Sequence, residues 1–124
     1  MILVDTAVWI DHLHAADPAL AGLLERGAVL GHPWVTGELA LGSLKRRGEV
    51  IGLLEALPQA VIATPRELLG LIGDAGLSGT GVGYVDAQLL AATRLTPGSR
   101  LWTSDRRLAA TAERLGVAFS PRAD

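Results

Sequence analysis

The chain has 124 residues, a formal net charge of −2 and no cysteine. That length supports one domain around a single core, and the lack of cysteine excludes disulfides, thiolate metal sites and a thiol nucleophile. The slightly acidic balance gives no overall attraction for nucleic acid, so any such binding must come from local patches.

Ile2-Leu3-Val4 is a continuous apolar run, the pattern of a strand buried on both faces. It stops at Asp5, and Val8, Trp9, Ile10 and Leu13 follow at helical spacing to about His14. No basic region precedes the run and Asp5 interrupts it, so it does not read as a signal peptide. Although 49% of residues are apolar, Glu38, Glu55, Pro58 and Asp86 cut the longest apolar stretches, so no membrane span is expected and the cytoplasm is the expected compartment. Asp17 and Pro18 form an N-cap and first helical position for a helix ending at Gly27. Ala28-Val29-Leu30 reads as a second strand and His32-Pro33 as a loop. Residues 34–47 read as a helix broken by Gly48, and residues 49–57 as a shorter one stopped by Pro58. Residues 60–63 are expected to form a third strand.

Thr64-Pro65-Arg66-Glu67 is a capping box opening a helix with Leu68, Leu69, Leu71 and Ile72. The glycine-rich segment 76–83 lacks the Lys-Ser/Thr of a P-loop, and Tyr84 occupies the final glycine position of a dinucleotide fingerprint, so it reads as a loop delivering the next helix. That helix runs from Tyr84 to about Thr96. Residues 100–103 form a strand, Asp105 opens a helix with Leu108, Ala112 and Leu115 on one face, and residues 117–119 form a last strand before a polar tail. Strands alternating with helices imply a single α/β domain over residues 1–124, with a mainly parallel sheet of about five strands covered on both faces. Trp9 and Trp102 read as core, Trp34 as core or a partner contact, with base stacking by any of the three the lesser reading, and His12, His14 and His32 read as surface residues, His12 or His14 with a nucleic-acid contact as the alternative.

Four acids stand on or beside apolar stripes: Asp5 after the first strand, Glu38 among Trp34, Val35 and Leu41, Asp86 among Val82, Leu89 and Leu90, and Asp105 before Leu108 and Ala109. Each has a plain structural reading. Asp5 and Asp105 suit helix caps, Asp86 suits a helix dipole, and Glu38 suits a solvated helix position. Grouped, carboxylates in such positions call for a neutralising divalent cation, and oxygen-only donors favour magnesium or manganese.

Asp5 in LVDTAVWID, Glu38 in VTGELALGSL, Asp86 in GVGYVDAQLLAA and Asp105 in LWTSDRRLAA together resemble, in order and spacing, the four acidic motifs of the PIN-domain ribonucleases, and more narrowly the VapC toxins of bacterial toxin–antitoxin pairs. The resemblance implies a PIN-like three-layer α/β/α sandwich with the acids at the carboxyl edge of its central sheet. It implies an endoribonuclease dependent on Mg2+, with Mn2+ able to substitute, a cognate antitoxin that blocks the site, and a homodimer that forms a heterotetramer or larger assembly with that antitoxin. Carried over, Asp5, Glu38, Asp86 and Asp105 are the catalytic acids. Asp5 and Asp105 are the foremost direct metal ligands and Asp86 a third, with Glu38 and Asp86 able to serve a second ion or orient the water. Thr6 and Thr103 are placed to fix carboxylate rotamers. Lys45, Arg46 and Arg47, read as continuing the Glu38 helix, and Arg106 and Arg107, just beyond Asp105, are candidate RNA-backbone contacts, or else solvated helix ends.

Two other enzyme classes also place Asp after a first parallel strand. The haloacid-dehalogenase pattern needs a second Asp where Ala7 stands, and a receiver domain needs an Asp at the end of a middle strand, where Ala63 stands. The remaining alternative is a catalytically inactive PIN-like module that binds RNA or protein.

Overall fold

Three short strands form a parallel sheet in the order β2-β1-β3, with β1 at Ile2–Val4, β2 at Val29–Leu30 and β3 at Arg100–Trp102. Residues 1–121 of the chain are described in the computed structural model, and the end of the expected polar tail lies outside them. All three β1 side chains are buried. Successive side chains on a strand point to opposite faces, so both faces of the sheet are covered, as a layered α/β arrangement requires.

Among the described residues seven helices connect and cover the strands: α1 (Thr6–His14), α2 (Pro18–Glu25), α3 (Pro33–Leu41), α4 (Arg47–Ala56), α5 (Pro65–Asp74), α6 (Tyr84–Leu95) and α7 (Arg106–Arg114). Several ends follow from the local sequence. The Asp17 carboxylate accepts from Ala19 N at 2.9 Å and Pro18 opens α2. At α5, Thr64 and Glu67 exchange both bonds of the capping box. In α6 the buried residues run without a break from Ala87 to Thr93, the signature of a helix enclosed on all sides. Its neighbours are α5 and β3.

The expected outer strands are present only as bridges. Gln59 pairs in parallel with Gly31, and Ala118 with Leu101, extending the order at both edges. The first bridge rests on Gly31 N donating to Pro58 O and Ala60 N donating to Gly31 O; the second on Leu101 N to Val117 O and Phe119 N to Leu101 O. Residues 60–63 are therefore not the strand their apolar run predicts. Side chains of α6 take over from a ladder: Val61 N donates to Thr96 Oγ1 at 2.9 Å, while buried Gln88 accepts from Ala63 N at 3.0 Å and donates to Ala63 O at 3.3 Å.

Two further expectations are corrected. The helix predicted over residues 34–47 ends at Leu41, with Gly42 as its C-cap, and α4 begins only at Arg47. Lys45 and Arg46 thus lie in the turn between helices, not on a continuation of α3. Arg46 adopts a left-handed conformation with φ of 53°, and Arg47 Nη1 donates to Ala40 O, closing one of the carbonyls left open at the end of α3. His32 is not a surface residue but fully buried. Its Nδ1 accepts from Trp34 N at 3.1 Å, making it the N-cap of α3. Trp9 and Trp102 are buried as expected, and Trp34 is partly exposed.

Candidate active site

The register of the sheet brings Asp5 and Thr103 side by side. Val4 pairs with Trp102, and Asp5 N donates to Trp102 O at 2.9 Å. The next residue on each strand emerges at the same carboxyl edge, where open α/β sheets bind ligands. Asp5 is buried, and both its oxygens are held. Oδ1 accepts from Thr6 N at 2.7 Å and Oδ2 accepts from Thr103 Oγ1 at 2.7 Å.

Two threonines connect this carboxylate to two of the others. Thr6 Oγ1 donates to Glu38 Oε1 at 2.6 Å, bringing α3 to the start of α1. Thr103 Oγ1, while donating to Asp5, accepts from Asp105 N at 3.1 Å. Asp105 caps α7 through Oδ1, which accepts from Leu108 N at 2.9 Å. A carboxylate has two oxygens, so capping leaves lone pairs available. For Asp5 and Asp105 the cap and the site readings therefore coexist.

Asp86 stands in the first turn of α6. Its carboxyl is pushed up to about 6 by burial, then by the negative charges of Asp5, Asp105 and Glu38, against a hydrogen bond from the Gly83 backbone that pulls it down. The other three acids of the sequence pattern thus all lie within electrostatic reach of Asp86. They differ in exposure: Asp5 is buried, Asp86 half-buried, and Glu38 and Asp105 are exposed at the mouth. Of the four acids placed on or beside apolar stripes, Asp5 and Asp86 are drawn inward while Glu38 and Asp105 remain at the surface.

The donor set consists of hard carboxylate oxygens, which suit magnesium or manganese. Among the described residues no three acids or histidines stand close enough together to bind one ion at once.

The basic residues divide. Arg106 and Arg107 are in the first turn of α7, exposed beside Asp105. Arg107 lies across Gly81 in the loop leading to Asp86: a Cβ at Gly81 would fall 2.7 Å from its Nη1, and the glycine has φ of +85°. Lys45 and Arg46 lie before α4 and Arg47 opens it; Arg46 pairs with Glu49 at 3.9 Å and Arg47 binds the end of α3. Sequence reasoning missed His32 and Gln88. Pro33 at a first helical position was the available signal for a cap at His32, and a lone amide within the apolar stretch around Leu89 was the signal for Gln88.

No family model matches the chain. Two curated relatives, both named Ribonuclease VapC32 and from the CDC 1551 / Oshkosh and ATCC 25618 / H37Rv strains of Mycobacterium tuberculosis, are each 50% identical to it over 120 residues, which is 97% of this chain and 97% of each relative. With identity of that level along nearly the whole length, on a parallel α/β fold that carries four acids in the expected order, the chain belongs to the VapC family of PIN-domain ribonucleases.

Proposed function

We propose that the chain is a metal-dependent endoribonuclease toxin that hydrolyses RNA phosphodiester bonds and is inhibited by a cognate antitoxin. The observation that supports this most strongly is the grouping of the acids at one sheet edge, Asp5 and Glu38 linked through Thr6, Asp5 and Asp105 through Thr103, with the Asp86 carboxyl raised by burial and then by those three charges. Such an arrangement is unfavourable for folding alone and suits a site built for a cation.

In this reading Asp5, Asp86 and Asp105 would hold the ion between them, at most two of them directly and the rest through its bound waters. A bound magnesium or manganese ion supplies Lewis acidity to the phosphate and acidifies water. Thr103 and the Thr6 amide lock the Asp5 carboxylate in one rotamer, so its oxygens need no reorganisation on binding. Glu38, held by the Thr6 hydroxyl, is placed to orient the attacking water. Water oxygen bonds to phosphorus, the bond from phosphorus to O3′ breaks, and a proton reaches O3′, leaving a 5′-phosphate and a 3′-hydroxyl. Arg106 and Arg107 contribute backbone contacts to RNA. Arg47 is occupied by α3, which weakens the case for the Lys45–Arg47 cluster.

Exposed apolar side chains support partners. A groove of about 360 Å³ between α1, α2 and α4 is lined by Trp9, Leu13, Leu53 and Leu57, among others, and Val61, Ile62 and Leu69 are exposed elsewhere. An antitoxin and a second copy of the chain are the partners proposed, giving a heterotetramer or larger.

The deciding experiment compares RNA cleavage by wild type and Asp5→Asn, in magnesium and then in EDTA, with circular dichroism as the check on folding. Loss of activity by about a hundredfold or more is expected in the folded variant and on chelation. Robust cleavage in EDTA would overturn the metal mechanism, and undiminished cleavage by the variant would overturn the site.

A further inference from the structure

Trp34 and Tyr84 are large aromatic side chains that the core does not absorb. Trp34 is 36% exposed and Tyr84 51% exposed, and their rings meet with centroids 5.9 Å apart and planes inclined at 43°. A tilted pair does not cover its own ring faces, so each keeps surface for a planar ligand. Both residues stand on fixed backbone. Trp34 is in the first turn of α3, where its N–H is held by His32, and Tyr84 is the first residue of α6.

Their position relative to the acids gives the pair its meaning. Trp34 precedes Glu38 by four residues on α3 and therefore shares its face. Tyr84 precedes Asp86 by two residues in the first turn of α6. The ring contact thus joins the two helix starts that deliver Glu38 and Asp86, which themselves feel each other's charge. An apolar protein helix seated there would have to cover carboxylates. A nucleotide would not, because it brings a phosphate for a cation and a flat base for an aromatic surface.

We propose that Trp34 and Tyr84 form a base-stacking subsite for an unpaired nucleotide next to the scissile phosphate. The inference rests on the ribonuclease reading above. Stacking tolerates any base but needs its face free, so the pair selects for single-stranded or looped RNA over continuous duplex.

The test uses Asp5→Asn protein, so that RNA is not consumed, and a mixed-sequence single-stranded RNA of twenty nucleotides, alone or annealed to its complement. Trp34 is the exposed indole of the three in the chain, since Trp9 and Trp102 are buried, so its emission reports stacking directly. The single strand should quench that emission, and Trp34→Leu or Tyr84→Leu should weaken its binding by about five- to a hundredfold, with Trp34→Phe restoring most of it. Binding of the duplex should change far less. Equal affinity in all variants, equal weakening for single strand and duplex, or a change in oligomeric state with RNA affinity intact would overturn the proposal, the last by assigning the pair to a protein interface. The two readings fail separately. Trp34-dependent binding without any cation-dependent cleavage by wild type would sink the hydrolase and leave the subsite, whereas Asp5-dependent cleavage with Trp34 emission unmoved by RNA would do the reverse.

Discussion

Asp86 carries a pH dependence whose sign follows from its surroundings. With its carboxyl pushed up to about 6, the folded chain holds a proton there that the unfolded chain has already lost. Its contribution to stability is complete below the ordinary carboxylate value and is lost as pH rises through about 6. His32 acts in the opposite direction. Burial lowers its proton affinity, and a proton on Nδ1 would displace the bond from Trp34 N, so stability is lost as pH falls below the ordinary histidine value. Comparing wild type with Asp86→Asn isolates the first effect. In EDTA the variant should melt higher than wild type above pH 6, with the gap closing towards pH 4. Isothermal titration with magnesium should show affinity falling as pH drops through 6, because the ion must displace that proton. Thr103→Val removes a donor to Asp5 and the acceptor for Asp105 N. It should cost about 1 kcal/mol in denaturant unfolding and reduce cleavage more than stability explains. At this scale the four acids and both threonines were named through the resemblance of their motifs to those of the PIN-domain ribonucleases, because helical spacing alone does not single them out. Their exposure was not legible, since it depends on how far each helix stands from the sheet.

Helices and central strands were legible because caps, prolines and uninterrupted apolar runs are local signals. The edges were not. The run Ala60-Val61-Ile62-Ala63 carries the composition of a strand, yet Gln88 and Thr96 of α6 supply its hydrogen bonds, a partnership made across 25 and 35 residues. Gln88→Leu should therefore cost about 1–3 kcal/mol, because it strips two buried backbone groups of their partner, and hydrogen exchange at Ala63 should accelerate. The end of α3 was misread because residues 43–47 keep an even helical propensity, while the Arg47 bond to Ala40 O favours a turn. In the loop before α6, Gly81→Ala meets both a left-handed backbone and the Arg107 guanidinium. It should lower stability by about 1 kcal/mol and, by shifting the Asp86 helix, depress cleavage further.

For the molecule as a whole, no helix among the described residues is long and apolar enough to cross a membrane. Its apolar excess emerges at the surface instead, as with Ile62 at 50% exposure beside Val61, which is tied to Thr96 one residue past exposed Leu95. Sedimentation of the isolated chain should give a dimer, and Ile62→Glu should shift it towards monomer if this face makes the contact. The place of this surface was not readable from composition, which reports how much apolar surface exists but not where it lies. The central strand has a different consequence. Asp5 leaves the ribosome early, but the hydroxyl that holds it belongs to a residue 98 positions later, on a strand that must pair with β1. A nascent or truncated chain lacking Thr103 has an incomplete site and a bare edge on β1. The fully held Asp5 carboxylate therefore exists only once the chain has been made as far as residue 103.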